Sequence, residues 1–498
     1  MQTKTQQDEL QSYLIDASNM QGGHANKLFL PESAEDIGAI LRDANAQNIP
    51  VTISGARTGT VGGAIPFGGS VISLEKLNKI RIIDRETKTA VVEAGVILGD
   101  FQKAVDAEGM FYPPDPTEWS CQIGGTAATN ASGSRSFKYG ATRNFINALR
   151  VVLANGEEIR PSRGENVANA GEPLELKTVS GTNISIRVPD YERPDVRKNV
   201  SGYYNQPPLD AIDLFIGSEG TLGVITELEL SLLEKPQGFF SGLVFFKREE
   251  DLVALVDQAR RLSYAARDRP DAGVPVDASL LEYFDAKALD FIGEKFPEVP
   301  GGMSGAIYFE QETSVENEDE LLEQWNLLLE KHRADLERSW FTTTDVDREK
   351  MRAFRHALPT SVNERIAKYG QRKVGTDMAV PDANFPAFLK FYKEKLEASR
   401  LDYVIFGHIG DNHLHANILP KNDAEATAAR NLYGRFVAQA VMLGGAVSAE
   451  HGIGKLKRKY LAVMMGECYL NEMAAVKRAL DPNGILGRGN MFDEEFLR

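Results

Sequence analysis

Ser54-Gly55-Ala56-Arg57-Thr58-Gly59-Thr60-Val61-Gly62-Gly63 follows directly on a β-rich run, Ile49-Pro50-Val51-Thr52-Ile53. A strand that opens into such a loop lets backbone N–H groups close around a pyrophosphate, because glycine accepts the dihedrals a tight cradle needs. The Lys-Ser/Thr ending of a Walker loop and the spacing of a GxGxxG fingerprint are both missing. Taken alone, the loop reads equally well as a tight turn.

Upstream, residues 32–47 have helical periodicity (Ile37, Ile40, Leu41, Ala44); downstream, residues 71–74, 80–83 and 90–92 read as strands and 98–108 as an amphipathic helix. The class is α+β, with mixed strands rather than a strict βαβ series. From Phe239 the pattern restarts as strand (243–246), helix (250–262), strand (306–310) and helix (318–332), and strands return at 403–406 and 415–419. This predicts a second domain with one sheet covered by helices. Pro236-Gln237-Gly238 is the strongest boundary signal. Residues 160–199 are polar and weakly periodic, and are expected to form a mobile surface excursion.

A chain of 498 residues exceeds what one core usually supports. Its net charge of −15 repels phosphate backbones and anionic lipid, which argues against nucleic acid as a partner. Cys121 and Cys468 are the only cysteines, too few for a disulfide framework or an Fe–S motif, and they point to a reducing compartment. The first 16 residues match no secretory or transit signal, and no run is apolar enough to span a bilayer. A cytoplasmic protein is expected, with a homodimer among the assemblies open to it.

Two further segments bear on the glycine loop. Pro113-Pro114-Asp115-Pro116 leads into Ile123-Gly124-Gly125-Thr126-Ala127-Ala128-Thr129-Asn130-Ala131-Ser132-Gly133, and later comes Gly217-Ser218-Glu219-Gly220-Thr221-Leu222-Gly223-Val224-Ile225-Thr226. In this order the three segments resemble the flavin-binding domain of the vanillyl-alcohol oxidase type, and the C-terminal half resembles the D-2-hydroxy-acid dehydrogenase branch. That resemblance implies a two-part FAD-binding domain (27–235, completed by a returning segment 445–498) and a substrate or cap domain (236–444). It implies FAD contacts at Gly55, Ala56, Arg57, Thr58, Gly59, Pro114, Asp115, Ile123, Gly124, Gly125, Ala128, Asn130, Gly140, Glu219, Gly220, Ile225 and Asn490. Many proteins of this fold attach FAD through a histidine in the first loop. Residues 54–63 contain none, so non-covalent FAD is expected.

Three of the seven histidines fall in Gly407-His408-Ile409-Gly410-Asp411-Asn412-His413-Leu414-His415, and Glu450-His451 follows. His408 and His415 are seven apart, which would set them on opposite faces of one continuous strand. Gly410-Asp411-Asn412 is turn chemistry that can fold the chain back and bring both imidazoles to one side. Two imidazoles with a carboxylate would suit Zn²⁺ or Mn²⁺; the alternative is a histidine-rich hairpin with no ion. The family pattern Gly-His-x-Gly-Asp-Gly-Asn-x-His, with a later Glu-His-Gly, implies His408, His415 and Glu450 as ligands and His451 as base. Asn412-His413 departs from that pattern, leaving His413 as a competing ligand or as a lone surface or core histidine, the commoner fate.

The resemblance also implies that Arg355 binds the substrate carboxylate and that Asn417, on the same strand face as His415, contacts substrate; an exposed helix arginine is the alternative for Arg355. D-2-hydroxyglutarate dehydrogenases carry a lysine at the position of Gly375 here. A distal carboxylate therefore lacks its partner unless Lys373 or Arg372 substitutes, which lowers D-2-hydroxyglutarate and favours a different hydroxy acid without identifying it; the expectation set on the resemblance is a D-lactate-like substrate. Arg57 either helps neutralise the pyrophosphate or lies exposed. Near the C-terminus the common Asn-Pro-Gly-Lys is Gly487-Arg488-Gly489-Asn490, without the usual flavin-adjacent lysine. The implied activity is FAD-dependent oxidation of a D-2-hydroxy acid, with electrons leaving to a quinone, a cytochrome, an electron-transfer flavoprotein or a separate Fe–S subunit. The alternative is a non-redox transferase resembling alkylglycerone-phosphate synthases.

Overall fold

The computed structural model describes residues 1–269 and 275–497, and within them three larger sheets position the glycine loops and the histidines. The first glycine loop leaves the edge of a four-stranded sheet ordered Gln2–Lys4, Lys27–Leu30, Ser70–Ser73, Val51–Ser54, whose last three strands are parallel. The helix Ala34–Ala46 buries Ile37, Ile40, Leu41 and Ala44, and Ser33 caps it by accepting the Asp36 N–H. The C-terminal segment lies along the outer side of Val51–Ser54: the Val51 N–H donates to Ile485, and the Gly487 N–H donates to Val51.

A five-stranded antiparallel sheet follows, ordered Ile80–Asp84, Thr89–Glu93, Val224–Ser231, Ile146–Val152, Glu158–Ile159. It joins the segments just after the first glycine loop to the segment that follows Gly217-Ser218-Glu219-Gly220.

The second half forms an antiparallel seven-stranded sheet in the order Trp340–Thr342, Gly238–Phe246, Gly305–Thr313, Leu280–Asp285, Tyr403–Gly407, His415–Ile418, Val374–Gly375. Every residue from Phe239 to Phe246 is buried, because helices cover both faces. Leu243 and Phe245 share a core with the helices Ala286–Gly293 and Asp345–Lys368, while Val244 and Phe246 join the one formed by Glu249–Asp268 and Glu318–Lys331. On the latter side Trp325 stacks on Phe309 with ring centroids 4.0 Å apart.

Residues 160–199 depart from expectation. They form two antiparallel pairings, Val167–Ala168 with Leu209–Asp210 and Pro173–Lys177 with Asn183–Arg187. Leu174, Leu176 and Ile186 alternate with charged neighbours, so this is a half-buried hairpin whose apolar face is thin enough to look polar in sequence. Its far end is drawn inward: the Val200 N–H and the Ser201 hydroxyl both donate to the Ser448 carbonyl, and Lys198 is buried. Among the described residues no helix is long and apolar enough to cross a membrane.

Candidate active site

Around the first glycine loop, donors lie idle. Among the described residues, no hydrogen bond from a backbone N–H of residues 55–60 to another group of the chain is found. The Gln122 side chain, next to Gly55, has a buried Oε1 with no partner. Gly59 and Gly125 face open space, whereas Gly124 and Gly133 are held against backbone: a Cβ would come within 2.5 Å of Ala94 at the first and 1.9 Å of the Asp115 carbonyl at the second. Free N–H groups, an orphaned buried acceptor and walls too close for side chains fit the donor and acceptor set of FAD.

Several of the remaining residues singled out for FAD are linked to one another. Ile123, Gly124, Gly125 and Ala128 lie in the helix Ile123–Thr129, and the Ala128 carbonyl accepts the Glu219 N–H. The Asn130 side chain accepts the Arg143 N–H. The Glu219 carboxylate in turn accepts the N–H groups of Ile453 and Gly454 at 2.6 and 2.7 Å. Burial outweighs these bonds and raises its pKa. Arg57 folds back: its guanidinium lies 4.5 Å from the Tyr13 ring centroid and donates to the Ser54 hydroxyl and the Gly55 carbonyl. Asn490 donates to the carbonyls of Gly63 and Glu219 and accepts from Lys455 Nζ at 2.8 Å. A lysine is thus present at this end after all, supplied by the segment after His451 rather than by the C-terminal motif. Burial pushes its pKa down to about 8.

The histidines are set by one hairpin. Tyr403–Gly407 ends at His408, a 3-10 turn spans Ile409–Asp411, Asn412 takes a left-handed conformation (φ 53°), and His415–Ile418 returns with His415 opposite Phe406. Arg260 clamps the turn, donating to the Ile409 and Gly410 carbonyls and to Asn412 Oδ1. The odd spacing is resolved as the turn chemistry predicts. His408 Nε2 lies 3.3 Å and His415 Nε2 3.0 Å from the same oxygen, Glu450 Oε1.

The opposite ring nitrogens are fixed from behind. His408 Nδ1 is 2.5 Å from Glu282 Oε1, and His415 Nδ1 donates to the Thr376 carbonyl at 2.9 Å, so that each Nε2 is turned inward toward Glu450. Burial lowers the His408 pKa, but Glu282 and Glu450 outweigh it and raise the value to about 9. Burial works against ionised Glu282, yet His408, Arg355 and Lys198 hold it at about 2. Glu450 Oε2 accepts from Lys198 Nζ at 3.1 Å and from the Ser132 hydroxyl at 3.2 Å, and Lys198 also lies 3.4 Å from Asp411. His408, His413, His415 and Glu450 offer ligand atoms that all lie within 4.8 Å of one another.

His451 stacks on His415, with centroids 5.1 Å apart and planes 13° from parallel, and about a third of its side chain (34%) remains open. Its Nδ1 is 3.6 Å from Asp377 Oδ2. Burial, opposed by Asp377, pushes its pKa down to about 4, so the ring is neutral near pH 7. Asp377 is saturated with donors: the N–H groups of Glu450 and His451, the Ser448 hydroxyl and Lys457. His413 does not face solvent. The strand begins only at His415, and His413 sits before it, fully buried (0%) and bridged to Ala379.

Arg355, on the helix Asp345–Lys368, is buried rather than exposed, and its Nε donates to Glu282 Oε2 at 3.2 Å. The two oxygens of Glu282 therefore join Arg355 to His408. Asp115 accepts from Trp119 Nε1; burial raises its pKa, and Arg135, Arg355 and Arg352 pull it below the usual range. Asn417 is buried opposite Gly375, where a Cβ would come 3.1 Å from its Oδ1, while Arg372 and Lys373 are exposed. Glu282, Lys198 and Asp377 went unrecognised in the sequence. Lys198 lies in the segment taken for a mobile excursion, and Glu282 sits in an apolar strand with no motif around it.

Comparison with known proteins gives a consistent picture. Residues 25–162 match the FAD binding domain family, and residues 252–491 match the C-terminal domain of FAD linked oxidases. A D-lactate dehydrogenase of Anaerostipes hadrus is 33% identical over 473 residues, covering 92% of this chain and 88% of the relative. A D-2-hydroxyglutarate dehydrogenase of Xanthomonas citri pv. viticola is 30% identical over 502 residues, covering 99% and 94%. Among solved structures, an alkyldihydroxyacetonephosphate synthase superposes with a TM-score of 0.68 at 16% identity, over 98% of this chain and 83% of that one, a likeness of fold alone. With these matches running along nearly its whole length, the chain belongs to the D-2-hydroxy-acid dehydrogenase branch of the FAD-linked oxidoreductases.

Proposed function

We propose that this protein oxidises a D-lactate-like D-2-hydroxy acid to the 2-oxo acid, with non-covalent FAD and a divalent ion held by His408, His415 and Glu450. The observation that carries the reading is the convergence of His408 Nε2 and His415 Nε2 on Glu450 Oε1, at 3.3 and 3.0 Å, beside a neutral His451. When bound, FAD accepts a hydride from the substrate carbon and the divalent ion polarises the substrate hydroxyl. The chain's own groups do the rest. His451 takes the hydroxyl proton at Nε2, because its Nδ1 faces the Asp377 carboxylate, which then stabilises the imidazolium. Arg355 has its Nε on Glu282, and among the described residues no hydrogen bond to its terminal Nη groups is found, so the fork can grip the substrate carboxylate.

Gly375, which sets no lysine opposite Asn417, supports a substrate with a single carboxylate. Electrons leave to an external acceptor. Anaerobic mixing of the purified protein with a panel of D-2-hydroxy acids tests the reading. Bleaching of the flavin's visible absorption by D-lactate or a near homologue is expected. A bound flavin that none of the panel reduces would overturn it and favour the non-redox transferase. Flavin released into the supernatant by acid precipitation is expected from non-covalent attachment.

A further inference from the structure

His413 is fully buried, with Nε2 3.1 Å from Asp377 Oδ1 and Nδ1 without a hydrogen-bond partner. A buried nitrogen left in that state costs stability, so the Nδ1 of this imidazole calls for a partner. The backbone that carries the ring is held in place. Its backbone N–H is tied to the His408 carbonyl, Asn412 before it is gripped by Arg260 and bonds Asp382, and the residue bridges Ala379.

The tautomer follows from the neighbours. Nε2 is 3.1 Å from Asp377 Oδ1, a carboxylate oxygen that can only accept, so Nε2 carries the proton and Nδ1 carries the lone pair. Nδ1 lies 3.8 Å from Glu450 Oε2, an oxygen already accepting from Lys198 and Ser132 that offers no proton in return. A lone pair aimed at a carboxylate with no hydrogen between them calls for a cation. Two ligand atoms bound at about 2.05 Å to one tetrahedral ion stand about 3.3 Å apart; the imidazole-to-carboxylate separations are 3.3 and 3.0 Å for His408 and His415 and 3.8 Å for His413, and the four ligand atoms lie within 4.8 Å of one another.

We infer that His413 is a third imidazole ligand, through Nδ1, of the divalent ion held by His408, His415 and Glu450. This rests on the metal reading above and goes beyond it, since a His₃Glu set fills four positions before substrate arrives. The substrate hydroxyl then enters as an added ligand rather than into a vacant place. Three imidazoles also narrow the ion to the borderline class, Zn²⁺ or Co²⁺ in preference to Mn²⁺ or Mg²⁺. Asp377 becomes the carboxylate that orients His413 from behind, as Glu282 orients His408.

The test uses FAD-containing full-length protein, stripped with a chelator and reloaded with zinc. Zinc K-edge X-ray absorption of the unaltered protein is expected to count three imidazoles, with no variant needed. His413→Asn should lose one imidazole from that count and at least about 10-fold in zinc affinity by chelator competition, at unchanged flavin content. Two imidazoles in the unaltered protein, or a His413→Asn variant with the same count and affinity, would overturn the role of His413 while leaving the three-residue site intact. Zinc that binds His408→Ala as tightly as the unaltered protein would instead overturn the underlying site.

Discussion

Glu282 Oε1 lies 2.5 Å from His408 Nδ1, at the meeting of two strands that are 126 positions apart in the chain. Leu280–Asp285 pairs with Tyr403–Gly407, Phe284 opposite Phe406, so the sheet itself delivers the carboxylate behind the imidazole. Glu282→Gln removes the acceptor's charge and keeps its shape. Metal affinity should fall about 10- to 100-fold, and turnover with it, while the flavin-to-protein ratio stays constant. Chelator competition and flavin absorbance measure the two separately. An unchanged affinity would mean that Glu282 serves only Arg355.

Lys198 offers a different handle. It is buried between Glu450 and Asp411 and supplies positive charge where the ion would also supply it. Lys198→Met leaves two carboxylates without that partner, and in chelated protein it should destabilise by about 3–5 kcal/mol. Added zinc should close much of the gap in Tm between variant and unaltered protein. A gap of the same size with and without zinc would show that the lysine and the ion do not share a field.

How much of this was legible beforehand depended on whether the signal was local. The hairpin that gathers His408 and His415 could be read from Gly410-Asp411-Asn412, because turn chemistry is written in consecutive residues. The glycine loops were legible for the same reason. Glu282 and Lys198 were not, since each acts through a partner more than a hundred positions away, and nothing in Leu280–Asp285 marks one glutamate as special. His413 could be noticed as a departure. Its burial depended on where the strand begins, and that is set by pairing with Tyr403–Gly407 rather than by its own neighbours. Lys455 shows the converse case: a charge missing from one motif is restored by a segment 35 positions away in sequence.

Asp285 gives a pH-dependent prediction away from the site. It caps the helix Ala286–Gly293 by accepting the Ala288 N–H at 2.7 Å, and burial outweighs that bond and raises its pKa to about 6. With the folded value above the ordinary 3.8, its contribution to stability is full below about pH 4 and is lost as pH rises through about 6. Asn caps as well as Asp but cannot ionise. Asp285→Asn should therefore match the unaltered protein near pH 4 and exceed it above pH 7, by up to about 3 kcal/mol. Thermal unfolding of both proteins across this range decides it. A difference that does not change with pH would remove the ionisation of Asp285 as its cause.

His451 separates chemistry from binding. It stacks on His415 with its Nε2 3.8 Å from Glu450 Oε1, farther than His408 or His415, and Asp377 lies behind it. His451→Gln keeps a polar side chain of similar reach, but one that cannot take up a proton near neutral pH. If the imidazole accepts the substrate hydroxyl proton, the rate of flavin reduction by the hydroxy acid should fall about 10²- to 10⁴-fold, the usual worth of a positioned base. Zinc content, flavin content and the substrate concentration for half-saturation should change far less, since ion, cofactor and carboxylate are held by other residues. His408→Ala should behave in the opposite way, losing the ion first and the rate as a consequence. Anaerobic stopped-flow reduction of the zinc-loaded variants distinguishes the two. A His451→Gln variant that reduces its flavin within 10-fold of the unaltered rate would assign the proton to another acceptor, and one that loses zinc as His408→Ala does would make His451 part of the metal site.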